Sequence, residues 1–76
     1  MRFQIELERE EDGRWIAEVP ELPGVMVYGP ERATAVARAQ ALALRVLAER
    51  LEHGEWVPEP LSISFLAAHA SGPREP

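Results

Sequence analysis

The sequence predicts an α+β domain of element order βββαβ: a four-stranded sheet in strand order 3-2-1-4 with one long helix on one face. Three observations carry that expectation. The first twenty residues alternate apolar and polar side chains with a period of two, interrupted at Asp12-Gly13. A single Ala-, Leu- and Arg-rich run follows Gly29-Pro30-Glu31 and lasts to about His53. A second short alternation, Leu61-Ser62-Ile63-Ser64-Phe65, comes after it. Period two marks half-buried strands and a long run of helix formers marks a helix.

In the first strand Phe3, Ile5 and Leu7 share one face, and Arg2, Gln4, Glu6 and Glu8 the other. A three-residue loop of Glu11, Asp12 and Gly13, with Gly13 supplying left-handed backbone, returns the chain as Trp15–Val19. That loop length pairs Leu7 with Ala17 and Ile5 with Val19, and puts Trp15, Ala17 and Val19 on the core face. A longer loop would bury Glu18 instead. Pro20-Glu21-Leu22-Pro23-Gly24 stops the ladder, since neither proline donates a backbone hydrogen bond. Val25-Met26-Val27-Tyr28 is wholly apolar and reads as a short third strand covered on both faces.

The helix opens at Gly29-Pro30-Glu31, with Gly as cap, Pro in the first turn and Glu31 complementing the dipole. Ala33, Val36, Ala37, Gln40, Ala43, Leu44, Leu47 and Leu51 recur at spacings of three and four and form the expected core stripe. Arg38, Arg45, Glu49 and Glu52 lie on the solvated side, and Gly54 ends the helix with His53 in its last turn. Glu55–Pro60 is an extended connector in which Trp56 is placed to cap the helix–sheet layer, and the Leu61–Phe65 strand follows. A right-handed crossover sets this fourth strand beside and parallel to the first. The domain is expected over 1–66, with 67–76 as a disordered tail.

With 76 residues and no cysteine, disulfides and thiolate metal sites are excluded, and folding buries only about 60% of the unfolded chain's surface. Self-association or a partner is the expected support. The formal charge of −5 opposes sequence-independent nucleic-acid binding and suits a basic partner. No apolar run approaches the roughly 20 residues of a membrane span, and the polar start does not read as a signal peptide. A cytoplasmic protein is expected, with no membrane association.

One helix covers one side of the sheet, so Ile16, Met26 and Tyr28 are expected on an uncovered face. Ala35, Ala39, Leu42 and Val46 form a second helical stripe about 100° from the first. A broad Ala-rich helix that leaves a few aliphatics exposed would account for the same pattern. Protein contact through one or both surfaces is the preferred reading, because contiguous apolar patches mark interfaces.

Chemistry-bearing residues are sparse. Asp12 is the single aspartate and sits in a turn, whereas a two-metal nuclease needs several converging carboxylates. His53 and His69 fit no metal-ligand spacing, Ser62 and Ser64 lack a glycine elbow, and the five glycines form no phosphate loop. Glu10-Glu11-Asp12 reads as a solvated hairpin tip, and Trp15 and Trp56 as completing a small core. No catalytic residue, cofactor or metal is expected.

The stretch Asp12-Gly13-Arg14-Trp15-Ile16-Ala17-Glu18-Val19-Pro20-Glu21-Leu22-Pro23-Gly24 resembles the signature of the HicB-like family, D-G-x-[YW]-x-A-x-[VF]-P-[ED]-L-P-G. Gly54-Glu55-Trp56-Val57-Pro58-Glu59-Pro60 is similar to the G-x-x-[IV]-P-x-P that follows the helix in that family. The resemblance covers about residues 3 to 65, with Pro20–Gly24 as the family-motif loop. It implies a partial, degenerate RNase H-like fold and a non-enzymatic antitoxin. Such an antitoxin neutralises a small basic RNA-cleaving HicA-like toxin by complex formation, and a homo-oligomer, dimer or tetramer, is expected with it. Two features depart from the pattern. About ten residues follow the last expected strand, where many members carry a DNA-binding domain, so direct DNA binding is not expected. Tyr28-Gly29-Pro30-Glu31-Arg32-Ala33-Thr34-Ala35 matches the family's G-D-T-x-x-E-A helix start only loosely. The alternative reading is a non-enzymatic oligomeric structural or regulatory module of the same fold with another protein or ligand partner.

Overall fold

The computed structural model describes residues 1–54 and 61–69. Along the chain run β1 (Arg2–Arg9), β2 (Trp15–Glu18), β3 (Met26–Gly29), α1 (Arg32–Glu52) and β4 (Ser64–His69). The sheet order is β3-β2-β1-β4, with β1–β2 and β2–β3 antiparallel and β1–β4 parallel. The α+β class, element order and strand order are those expected.

Leu7 lies opposite Ala17, the expected register. The loop closes through Glu10 N–H to the Arg14 carbonyl at 2.7 Å and Gly13 N–H to the Glu10 carbonyl at 3.0 Å. Gly13 takes φ +93°, the left-handed conformation a three-residue hairpin loop requires. The corner after β2 is tied by Val19 N–H to the Val25 carbonyl and Leu22 N–H to the Val19 carbonyl, both 3.0 Å. Between its two exposed prolines Leu22 turns inward and joins the core with Val19 and Val25. Hydrophobic burial, and not proline stiffness alone, anchors this corner.

Phe3, Ile5, Leu7, Ala17, Val19, Leu22, Val25, Ala35, Ala39, Ala43 and Leu47 form one buried cluster between sheet and helix. The helical part corrects the expected stripe. Ala43 and Leu47 of that stripe are buried as expected, but Ala33, Ala37 and Leu44 are exposed, and Ala35 and Ala39 are buried in their place. Leu42 and Val46 pack along one flank and Val36 along the other. The stripe is thus rotated by roughly a quarter turn from the one centred on the larger leucines, at about 100° per residue. Close approach explains the rotation. Alanines at i, i+4 and i+8 bring the helix axis down onto the sheet, and larger side chains wedge in on either side. At the start of α1 a Cβ on Gly29 would lie 2.7 Å from the Ala35 nitrogen, so the strand end nearly touches the helix backbone.

Three boundaries also differ. Gly29 is the last residue of β3, and the N-cap is Glu31, which makes no side-chain cap bond. Only one face of β3 is covered: Val27 packs on the core, but Met26 and Tyr28 are exposed. β4 begins at Ser64 and continues to His69, so residues 67–69 belong to the sheet and not to a tail. The eight-residue β1 supplies ladder partners from Arg2↔Ser64 through Leu7↔His69, and that pairing carries the strand past the alternating segment. Gly54 stops the helix at φ +68°, as expected. The connector with Trp56 and the residues 70–76 of the expected tail lie outside the described residues.

Candidate protein-binding face

Strand alternation sorts the sheet's side chains into two sets. Phe3, Ile5, Leu7, Ala17 and Val27 turn to the helix, as does half-buried Phe65, whose ring centroid is 5.8 Å from that of Phe3. The opposite face has no helix over it. It carries Arg2, Gln4, Glu6 and Glu8 from β1, Ile16 and Glu18 from β2, Met26 and Tyr28 from β3, and Ser64, Leu66 and Ala68 from β4.

The sheet register brings the three expected contact residues together. Ile16 is the cross-strand partner of Tyr28, and Glu18 that of Met26. Met26 is 51% exposed, Tyr28 39%, and Ile16 half-buried beside them. The other four expected contact residues are elsewhere. Ala35 and Ala39 are fully buried under the helix, and Leu42 and Val46 pack against the same core, so that stripe is a correction: it is the sheet-facing side of α1. Of the motif loop, Leu22 is buried, while Pro20, Glu21, Pro23 and Gly24 are exposed. Glu21 Oε2 accepts the backbone N–H of Gln4 at 3.3 Å, closing part of β1 beyond the end of β2.

Tyr28 is held from two sides. The Arg14 guanidinium lies 4.6 Å from its ring centroid, in cation–π contact. Arg14 Nε in turn donates to Asp12 Oδ2 at 2.8 Å, and Arg38 Nη1 donates to the Tyr28 backbone carbonyl at 2.7 Å. Arg14 thus lies over one side of the ring, and Arg38 ties the backbone that carries it. Sequence reasoning missed Arg14 and Arg38. Position fourteen falls on the outer side of the alternation, but nothing in the spacing of Arg38 shows that it reaches back to β3.

The charge on this face is one-signed at its centre. Glu6 and Glu18 are direct cross-strand partners, and Glu8 follows on the same side. Like charges placed opposite one another destabilise a sheet. Among the described residues the one ion pair is Arg14–Asp12, so none of these three carboxylates is paired with another described residue.

The Asp12–Arg14 contact makes a pH prediction. The Arg14 backbone N–H donated to Asp12 Oδ1 at 3.0 Å, aided by the guanidinium, holds the Asp12 carboxyl below its ordinary value. A depressed native pKa contributes stability above the unfolded value, about 3.9, and that contribution disappears as pH falls through the native one. Asp12→Asn should therefore lower the melting temperature slightly at neutral pH, and the gap to the parent should narrow as the pH falls below the ordinary carboxylate value and through the lowered native one. Thermal melts of both chains across that range check it.

No family model, curated protein or solved structure matches the chain. Among the described residues no three His, Cys, Asp or Glu side chains are grouped to hold a metal ion, and no helix is long and apolar enough to cross a membrane.

Proposed function

We propose that this chain is a non-enzymatic, protein-binding domain of the antitoxin type, which neutralises a small basic RNA-cleaving partner of the HicA kind by covering it with the open face of the sheet. One observation carries the proposal: exposed Met26 and Tyr28, beside Ile16, border the carboxylates of Glu6, Glu8 and Glu18, which form no ion pair among the described residues. An exposed apolar anchor with acidic groups at its side has the composition of a contact surface for a basic protein. The aromatic supplies desolvated contact area, and the carboxylates supply attraction and register. A cationic partner would also relieve the Glu6–Glu18 repulsion that the isolated sheet carries. The resemblance of Asp12–Gly24 to the HicB-like signature supports the same reading, and with it a degenerate RNase H-like origin for the βββαβ order and a cytoplasmic site of action.

The test is co-expression with any small basic reading frame encoded beside this chain. Growth inhibition by that frame alone, its rescue by this chain, and co-purification of the two in fixed ratio are expected. Failure of both rescue and co-purification would remove the proposal.

A further inference from the structure

The two edges of the sheet differ. On β3 the Tyr28 carbonyl is taken by Arg38 and the Met26 N–H by the Gly24 carbonyl. Half of that edge's outward-pointing groups at Met26 and Tyr28 are thus satisfied from within, a common protection against strand pairing. On β4 the Ser64 N–H points inward to the Met1 carbonyl, so by strand alternation the backbone groups of Phe65 and Ala67 point outward, away from β1. No hydrogen bond to them is found among the described residues. The helix packs on β3, β2 and β1 and hardly reaches β4. Leu66 on the open face is 55% exposed, more than any other large apolar side chain among the described residues.

We propose that β4 pairs antiparallel with β4 of a second copy of this chain, about a two-fold axis at Leu66, to form a continuous eight-stranded sheet. Charge selects a second copy as the occupant. Ser64-Phe65-Leu66-Ala67-Ala68-His69 contains no carboxylate and no guanidinium, so the strand can face itself without bringing like charges together, in a chain whose net charge is −5. A basic partner would find no counter-charge there. The register follows from which groups point outward. Centring the axis on Leu66 places Phe65 opposite Ala67 of the second copy, and each such pair exchanges both of its backbone hydrogen bonds. Leu66 then faces its own copy as a non-hydrogen-bonded pair, with Cα atoms about 4.5 Å apart and side chains in contact. The axis is perpendicular to the sheet, so both helices lie on one side and both open faces on the other. The dimer would therefore present two copies of the candidate protein-binding face side by side.

Light scattering on the eluting full-length chain, with amide hydrogen exchange on the same sample, tests this independently of any toxin. The expected result is a dimer at about 100 µM, with the Phe65 and Ala67 amides exchanging at least about tenfold more slowly than unpaired edge amides. Leu66→Lys sets two ammonium groups against each other and should weaken the dimer by at least about tenfold, while circular dichroism stays native. A monomer at that concentration, fast exchange at Phe65 and Ala67, or a dimer untouched by Leu66→Lys would each overturn the proposal. If Leu66→Lys fails to fold, the exchange rates of the parent chain decide.

Discussion

Leu7→Ala is expected to lower the unfolding free energy by about 2–5 kcal/mol. Leu7 is fully buried on β1, opposite Ala17, between the helix and the middle of the sheet. Removing its branched end costs the transfer energy of the lost methyl groups and leaves a cavity whose walls are held by strand pairing. The neighbours cannot readily close it. A chain of 76 residues has a total stability of about 4–11 kcal/mol, so one truncation removes a large part of the margin. Leu44→Ala is the companion measurement. Leu44 is 47% exposed on the back of α1, and its truncation should cost no more than about 0.5 kcal/mol. Urea titration of both variants compares them directly. Equal losses would mean that the helix lies on the sheet in a different rotation.

Gly29→Ala is the second substitution expected to cost heavily, about 1–3 kcal/mol or more. The added methyl would sit 2.7 Å from the Ala35 nitrogen and 3.0 Å from its Cα. Those are backbone atoms of the first helical turn, so no rotamer change relieves the clash. Strand and helix must separate, and the alanine-lined contact behind them opens. Because the obstacle is main chain, adding Ala35→Gly should restore nothing. A double variant as stable as the parent in thermal melts would contradict the close approach.

These contacts also mark the limit of what the sequence reveals. Period two in Arg2–Glu8 and Arg14–Val19 was enough for the hairpin, because shifting a strand by one residue would exchange Leu7 for Glu6 in the core. Strand order followed from the crossover rule and the single long helix. The rotation of that helix was not legible. Ala, Leu and Val surround most of its circumference, so periodicity favours several stripes nearly equally, and the choice is made by how closely Gly29, Ala35, Ala39 and Ala43 let helix and sheet approach. The same contacts turned an expected contact stripe, Ala35, Ala39, Leu42 and Val46, into core. On the sheet, Ile16, Met26 and Tyr28 were found by alternation, since covering one side with a helix leaves the other bare. Leu66 was missed because β4 reads from its Leu61–Phe65 alternation, whereas its true extent is set by pairing with β1. The arginines that hold Tyr28 act across the fold and leave no local pattern.

The most direct measurement is capture of the co-expressed basic partner by two variants, one on each side of the molecule. Tyr28→Ala with Met26→Ser removes the exposed apolar anchor from the open face, while Leu44→Ser changes the exposed back of the helix. Losing a central aromatic anchor typically costs 2 kcal/mol or more, about thirtyfold in affinity. The open-face variant should therefore lose capture and growth rescue together, while the helix variant keeps both. Full capture by the open-face variant, with loss in the helix variant, would place the binding surface on the wrong side of the sheet and contradict the account.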